Sequence, residues 1–184
     1  MNKIVAIVGM CGSGKSVASE HFENLNFQKV YFGGVTMEKL EEANLEVTPE
    51  NEKMMREKLR KDYGMGAFAT ILLPRIEEYA KLGNVVLDGL YSWDEYKILK
   101  EKFDSQIILL AIVEDKNKRY ERLESREVRP LTKEQAENRD IAEIENSAKG
   151  GPIAFADYYI FNNDSIDKYK EDLKKFTTEI LKEV

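Results

Sequence analysis

Ile4-Val5-Ala6-Ile7-Val8-Gly9-Met10-Cys11-Gly12-Ser13-Gly14-Lys15-Ser16 decides how this chain is read. The first five residues form an unbroken apolar run rich in β-branched side chains, which suits a strand covered on both faces in the middle of a parallel sheet. The next eight match Gly-x-x-x-x-Gly-Lys-[Ser/Thr], the P-loop pattern, set between that strand and a helix expected from Ser16. Glycines let the backbone curl so that its N–H groups converge on phosphate oxygens, and the helix N-terminus adds partial positive charge. Lys15 is expected to reach the β and γ phosphates of ATP, and Ser16 to ligate Mg²⁺. The candidate ATP-contacting residues are therefore Gly9, Met10, Cys11, Gly12, Ser13, Gly14, Lys15, Ser16 and Val17.

Further strands are expected at Gln28 to Phe32, Asn84 to Leu87, Ile107 to Val113 and Tyr158 to Phe161. Between them lie helical patterns: Ser16 to Phe22, Val35 to Ala43, a helix to Tyr63 opened by Thr48-Pro49, and Ala67 to Leu82 kinked or split by Pro74. Trp93 to Phe103, Lys116 to Arg126, Lys133 to Ala148 and Ile166 to Leu181 complete the set. This βα alternation predicts an α/β three-layer sandwich, a five-stranded mostly parallel sheet with helices on both faces. One domain spanning 1–184 is expected, with a helical acceptor segment at about 33–82 and a lid at about 119–148.

Composition narrows the partners. Apolar and charged fractions of 42% and 34% are those of a globular chain that folds alone. A formal charge of −6 argues against nonspecific nucleic-acid binding, which needs a basic footprint. One cysteine, Cys11, permits no intrachain disulfide, and no apolar stretch is long enough to span a bilayer, so a cytoplasmic location is expected. One cysteine and one histidine cannot supply a structural zinc site.

A second acidic position follows from Val85-Val86-Leu87-Asp88-Gly89, an apolar strand ending in a carboxylate at the sheet edge where α/β proteins bind ligands. Asp88 is the expected partner of Ser16 around Mg²⁺. Arg119, Arg122, Arg126 and Arg129 recur at intervals of three or four, a basic stripe if helical, and Arg139 could join it. Guanidinium groups there would neutralise charge on a transferring phosphoryl group, with Arg122 and Arg126 the candidates for catalysis beside Lys15 and Asp88.

The arrangement resembles the nucleoside-monophosphate kinase group of P-loop proteins, which includes adenylate kinase and dephospho-CoA kinase. Gly9 to Ser16, Leu87-Asp88-Gly89 and Arg122-Leu123-Glu124-Ser125-Arg126 carry the likeness. A mainly archaeal family of dephospho-CoA-kinase-like nucleotide kinases is similar over most of the chain, through Thr48-Pro49-Glu50-Asn51, Asn138-Arg139-Asp140 and Ala156 to Asn162. The resemblance implies an ATP- and Mg²⁺-dependent kinase acting on a nucleotide-like acceptor, with Asn162 and Asn163 near the adenine. It also exposes departures. Where related kinases present an aspartate and an arginine to the acceptor, this chain has Gly33-Gly34-Val35-Thr36-Met37, and Leu90-Tyr91-Ser92 stands where a second arginine is common. Arg56, Arg60 and Tyr91 are the alternative acceptor contacts. A regulatory ATPase with a decayed acceptor site and a dephospho-CoA kinase are the rival readings.

Overall fold

A computed structural model describes residues 2–182. Its strands are β1 (Ile4–Val8), β2 (Gln28–Tyr31), β3 (Val85–Asp88), β4 (Ile107–Val113) and β5 (Tyr158–Phe161). They lie in the order β2-β3-β1-β4-β5, every pairing parallel, as the alternation of elements requires. The helices are α1 (Lys15–Glu23), α2 (Gly34–Glu42), α3 (Pro49–Tyr63), α4 (Ala67–Leu82), α5 (Trp93–Phe103), α6 (Lys116–Ser125), α7 (Lys133–Glu145), α8 (Gly150–Ala154) and α9 (Ile166–Lys175).

The apolar run of β1 has no polar interruption because both of its faces are covered. Ile4, Ala6 and Val8 enter one core with residues of α2 to α5, among them Leu40, Leu59, Leu72 and Leu99. Val5 and Ile7 point the other way, onto Ala18 and Phe22 of α1 and Tyr169 and Leu173 of α9. Alternation along a strand thus distributes one pentapeptide between two helical layers. A third, small cluster of Tyr120, Leu123 and Ala136 joins α6 to α7 and touches Cys11.

Local signals act where expected. Thr48 Oγ1 accepts from Asn51 N at 3.2 Å, with Pro49 at the first helical position of α3. α4 runs through Pro74 as one helix, so of the two expected outcomes, a kink or a split, the split does not occur. Several helix ends differ from expectation, three of them in the second half of the chain. α6 stops at Ser125, whose hydroxyl donates back to the Glu121 carbonyl, and Arg126 is extended. α7 stops at Glu145, and Ala148 adopts a left-handed φ of 49° before α8, a helix that Gly150-Gly151-Pro152 argues against in sequence. Pro152 is tolerated because the first-turn N–H groups of a helix have no intrahelical acceptor to lose. The last helix ends at Lys175 and continues as a π-helical turn, Phe176–Ile180.

β1 leads through α1 to β2 on one side of the sheet while its neighbour β4 leads on to β5 at the other, so the connections part at their carboxyl ends and open a crevice there. In the parallel register Ile7 lies opposite Asp88, which places the strand-end carboxylate beside the start of the glycine loop. No described helix is long and apolar enough to cross a membrane.

Candidate functional site

The glycine loop is bent by steric need. Gly9 has φ 149°, and a Cβ there would lie 2.4 Å from the Ile112 carbonyl oxygen; Gly14, at φ 99°, would press one to 2.4 Å from Asn162 Nδ2. The loop carbonyls are tied down from outside. Arg119 Nη1 donates to Cys11 O at 3.0 Å, Asn162 Nδ2 to Ser13 O at 2.9 Å, and the Tyr169 hydroxyl to Gly14 O at 3.0 Å. In a trans peptide the N–H points opposite to its carbonyl, and this chain has no cis bond among the described residues. Fixing those three carbonyls therefore turns the N–H groups of Gly12, Gly14 and Lys15 the other way, and all three residues line the adjoining cavity. No side chain caps α1, so its first amides keep donors for an anion.

That cavity has a volume of about 720 Å³. Cys11, Gly12, Gly14, Lys15, Ser16 and Val17 form one wall, while Gly9, Met10 and Ser13 are not among the lining residues. Lys15 Nζ donates to Met10 O at 2.9 Å. Burial, with the Lys149 ammonium close by, lowers its pKa to about 8. Asp88 faces the loop across the cavity, with Lys29 Nζ 3.6 Å from its carboxylate. A hydroxyl on Ser16 and a carboxylate on Asp88 are hard oxygen donors of the kind Mg²⁺ takes, and the two together fit the ion. The described residues contain no cluster of three or more His, Cys, Asp or Glu side chains suited to a metal, so phosphate and water oxygens would have to complete the shell.

The expected arginine stripe divides into different roles. Arg122 and Arg126 line the cavity. Arg122 is ion-paired with the buried Glu114 and donates to Asn162 O at 3.2 Å, while Arg126 Nε donates to the Arg129 carbonyl. Arg119 instead turns inward, clasping Asp140 with bonds of 3.0 and 2.6 Å. Arg129 reaches across to Glu52 of α3. Arg139 lines the cavity from α7.

The acceptor-side candidates separate likewise. Tyr91 lines the cavity together with Tyr31, and burial raises its phenol pKa. Arg56 is paired with Glu52, and Arg60 donates to Ser147 and stacks over Phe68. Neither arginine is among the lining residues. Asn162 lines the cavity, but its amide is committed to the loop; Asn163 bonds Asp115 through both side-chain atoms and lies outside the lining.

Two charged lining residues, Lys149 and Glu143, have no counterpart among the sequence candidates. Lys149 is 2% exposed and donates to Glu143 Oε2 at 2.7 Å, with its ammonium over the Tyr91 ring. The same Glu143 oxygen accepts from the loop amide of Cys11 at 3.2 Å. Burial opposes the Glu143 charge, yet Lys149, Lys15 and Arg139 together hold its pKa below the usual carboxylate range. Nothing in the local pattern around Lys149-Gly150 or Glu143 distinguishes them from surface residues, so only the tertiary structure brings them to notice.

Comparison with known proteins places this geometry. A model of the AAA domain family matches residues 5–145. A UPF0200 protein of Thermococcus kodakarensis is 35% identical over 97% of this chain and 98% of its own, and one of Pyrococcus abyssi is 34% identical over 97% of both. The chain belongs to the AAA domain family and to the UPF0200 proteins. A UPF0200 fold of this kind is shared with solved kinases. Shikimate kinase from Acinetobacter baumannii, in complex with shikimate, matches with a TM-score of 0.62 at 16% identity over 99% of this chain and 94% of its own. Dephospho-CoA kinase from Campylobacter jejuni matches at 0.56, also 16% identical, over 97% of each. The architecture is thus that of a P-loop kinase, as the alternation of strands and helices implies.

Proposed function

We propose that this UPF0200 chain is a phosphotransferase that moves the terminal phosphoryl group of Mg-ATP to a small nucleotide-like acceptor. One observation carries the reading: the inward-turned loop amides, Asp88 and the cations Lys15, Arg122 and Arg126 share a single cavity. The loop N–H groups and Lys15 hold the donor phosphates, Ser16 and Asp88 hold the metal, and the two arginines neutralise charge spread over the phosphoryl oxygens. Mg²⁺, when bound, would supply positive charge that compensates the phosphate oxygens. No base is needed when the acceptor atom is already a phosphate oxygen. Solvent exclusion falls to α6, which leans on the loop through Leu123 and Arg119, and to α7, which meets it through Glu143.

A regulatory ATPase is the second reading, favoured by the engagement of Arg56 and Arg60 outside the cavity. Purified protein incubated with labelled Mg-ATP and a panel of nucleoside monophosphates, nucleosides, dephospho-CoA and shikimate separates the two. Transfer to one panel member that disappears in Lys15→Ala, with the fold retained by circular dichroism, is the expected result. Transfer that persists undiminished in Lys15→Ala refutes the assignment, and ATP binding with release of phosphate to water alone selects the ATPase.

A further inference from the structure

Glu143 presents a problem of chemistry. It belongs to the last turn of α7, where exposed carbonyls disfavour a carboxylate and no basic residue occupies the turn. Its charge is held instead by donors from three directions. Oε2 accepts from the Cys11 N–H at 3.2 Å and from Lys149 Nζ at 2.7 Å, and Oε1 accepts from Arg139 Nε at 3.4 Å. A phosphate-loop amide, an ammonium and a guanidinium are the donor set that proteins use for phosphoryl oxygens. The set is built with effort. Lys149 is almost wholly buried, and the residue before it, Ala148, is held at φ 49°, a conformation that L side chains rarely adopt.

We infer that Cys11 N–H, Arg139 and Lys149 form a subsite for a phosphoryl oxyanion, and that the Glu143 carboxylate fills it as an internal stand-in until a ligand displaces it. The inference rests on the proposed nucleotide site and extends it to the chain's own competitor. Displacement frees the end of α7 from the loop and hands Lys149 and Arg139 to the incoming group, so filling of the phosphate site and movement of α7 become one event. These two cations would stand in for the acceptor arginines that are absent after β2 and β3. The oxyanion has two candidate sources, the terminal phosphoryl of the donor and a phosphate on the acceptor.

Calorimetric titration of the full chain tests this. Glu143→Gln keeps the shape and removes the competing charge, so affinity for the true occupant should rise about tenfold, the worth of one charge-assisted hydrogen bond. A gain for ATP without a gain for ADP assigns the subsite to the donor's terminal phosphoryl. A gain for inorganic phosphate added to ADP-saturated protein, with ATP unchanged, assigns it to an acceptor phosphate. Glu143→Asp separates occupancy from a through-space charge effect, because it keeps the charge but falls one methylene short of Cys11. Direct occupancy predicts tighter binding there too; wild-type affinity in Glu143→Asp alongside a gain in Glu143→Gln overturns the inference. Should Glu143→Gln fail to fold with Lys149 unpaired, Lys149→Met and Glu143→Gln/Lys149→Met are compared, and equal affinities in that pair overturn it as well. Wild type that binds no ATP refutes the nucleotide reading, whereas ATP binding indifferent to Glu143 refutes only the subsite.

Discussion

Replacing Arg119 by methionine should damage the protein twice, through its stability and through its phosphate loop, and the two losses can be separated. Arg119 and Asp140 form a bidentate pair whose side chains are 7% and 10% exposed, and the Tyr120 hydroxyl adds a third bond to Asp140 at 3.1 Å. Removing the guanidinium leaves a carboxylate buried without its counter-charge, a defect worth about 3–5 kcal/mol. For a chain of 184 residues each kcal/mol moves the melting temperature by about 2–4 °C, so Arg119→Met should melt about 10 °C lower. Arg119→Met/Asp140→Leu removes both charges and should return to within about 1 kcal/mol of wild type, since apolar replacement of a buried pair is close to neutral. The rescued protein still lacks the bond from Arg119 to the Cys11 carbonyl that helps to aim the loop, so its ATP affinity should remain low. Urea melts of the wild type, both singles and the double give the coupling energy, and calorimetry gives ATP binding in the same four proteins. A single-mutant loss under about 1 kcal/mol, or a double mutant no more stable than Arg119→Met, refutes the claim that burial makes this pair costly to break.

Three further outcomes follow from the loop itself. ATP affinity should fall as pH rises through about 8, where the buried Lys15, depressed from 10.5, loses its charge; a flat titration profile from pH about 7 to 9 would contradict this. The same depression makes the ligand-free fold gain stability between about 8 and 10.5, because the unfolded chain binds the extra proton there. Asn162→Ala strands the Ser13 carbonyl and should cost about 1–3 kcal/mol in urea melts while weakening ATP binding, and a variant with wild-type values for both would show that the loop holds its shape unaided.

Much of the architecture could be read because it rests on short-range chemistry. The run from Ile4 to Val8, the octet after it and the Thr48-Pro49 helix start each carry their explanation within a few residues. Asp88 could be placed because a carboxylate closing an apolar strand sits at the edge where ligands bind. The arginine stripe misled in part. Spacing puts Arg119 and Arg122 on neighbouring positions of one helix, but only packing of α6 on α7 decides that Arg119 meets Asp140 while Arg122 meets the cavity. Arg126 follows the same spacing and yet lies past the helix end, where Ser125 bonds back on its own turn. The Glu143 and Lys149 pair was illegible for a related reason. Its partners are the Cys11 amide and the Tyr91 ring, both far away in sequence, and a lysine before two glycines reads as exposed.

The three outside anchors of the glycine loop come from distant parts of the chain: Arg119 lies 108 positions from Cys11, Asn162 lies 149 from Ser13, and Tyr169 lies 155 from Gly14. A ribosome delivers the octet before any of its anchors. Until Tyr169 has been made the motif is therefore present as a string of residues but not as a receptor. The loop gains its full set of anchors only when β5 and α9 close over it, so a loop held in this shape reports that the chain has been made through α9.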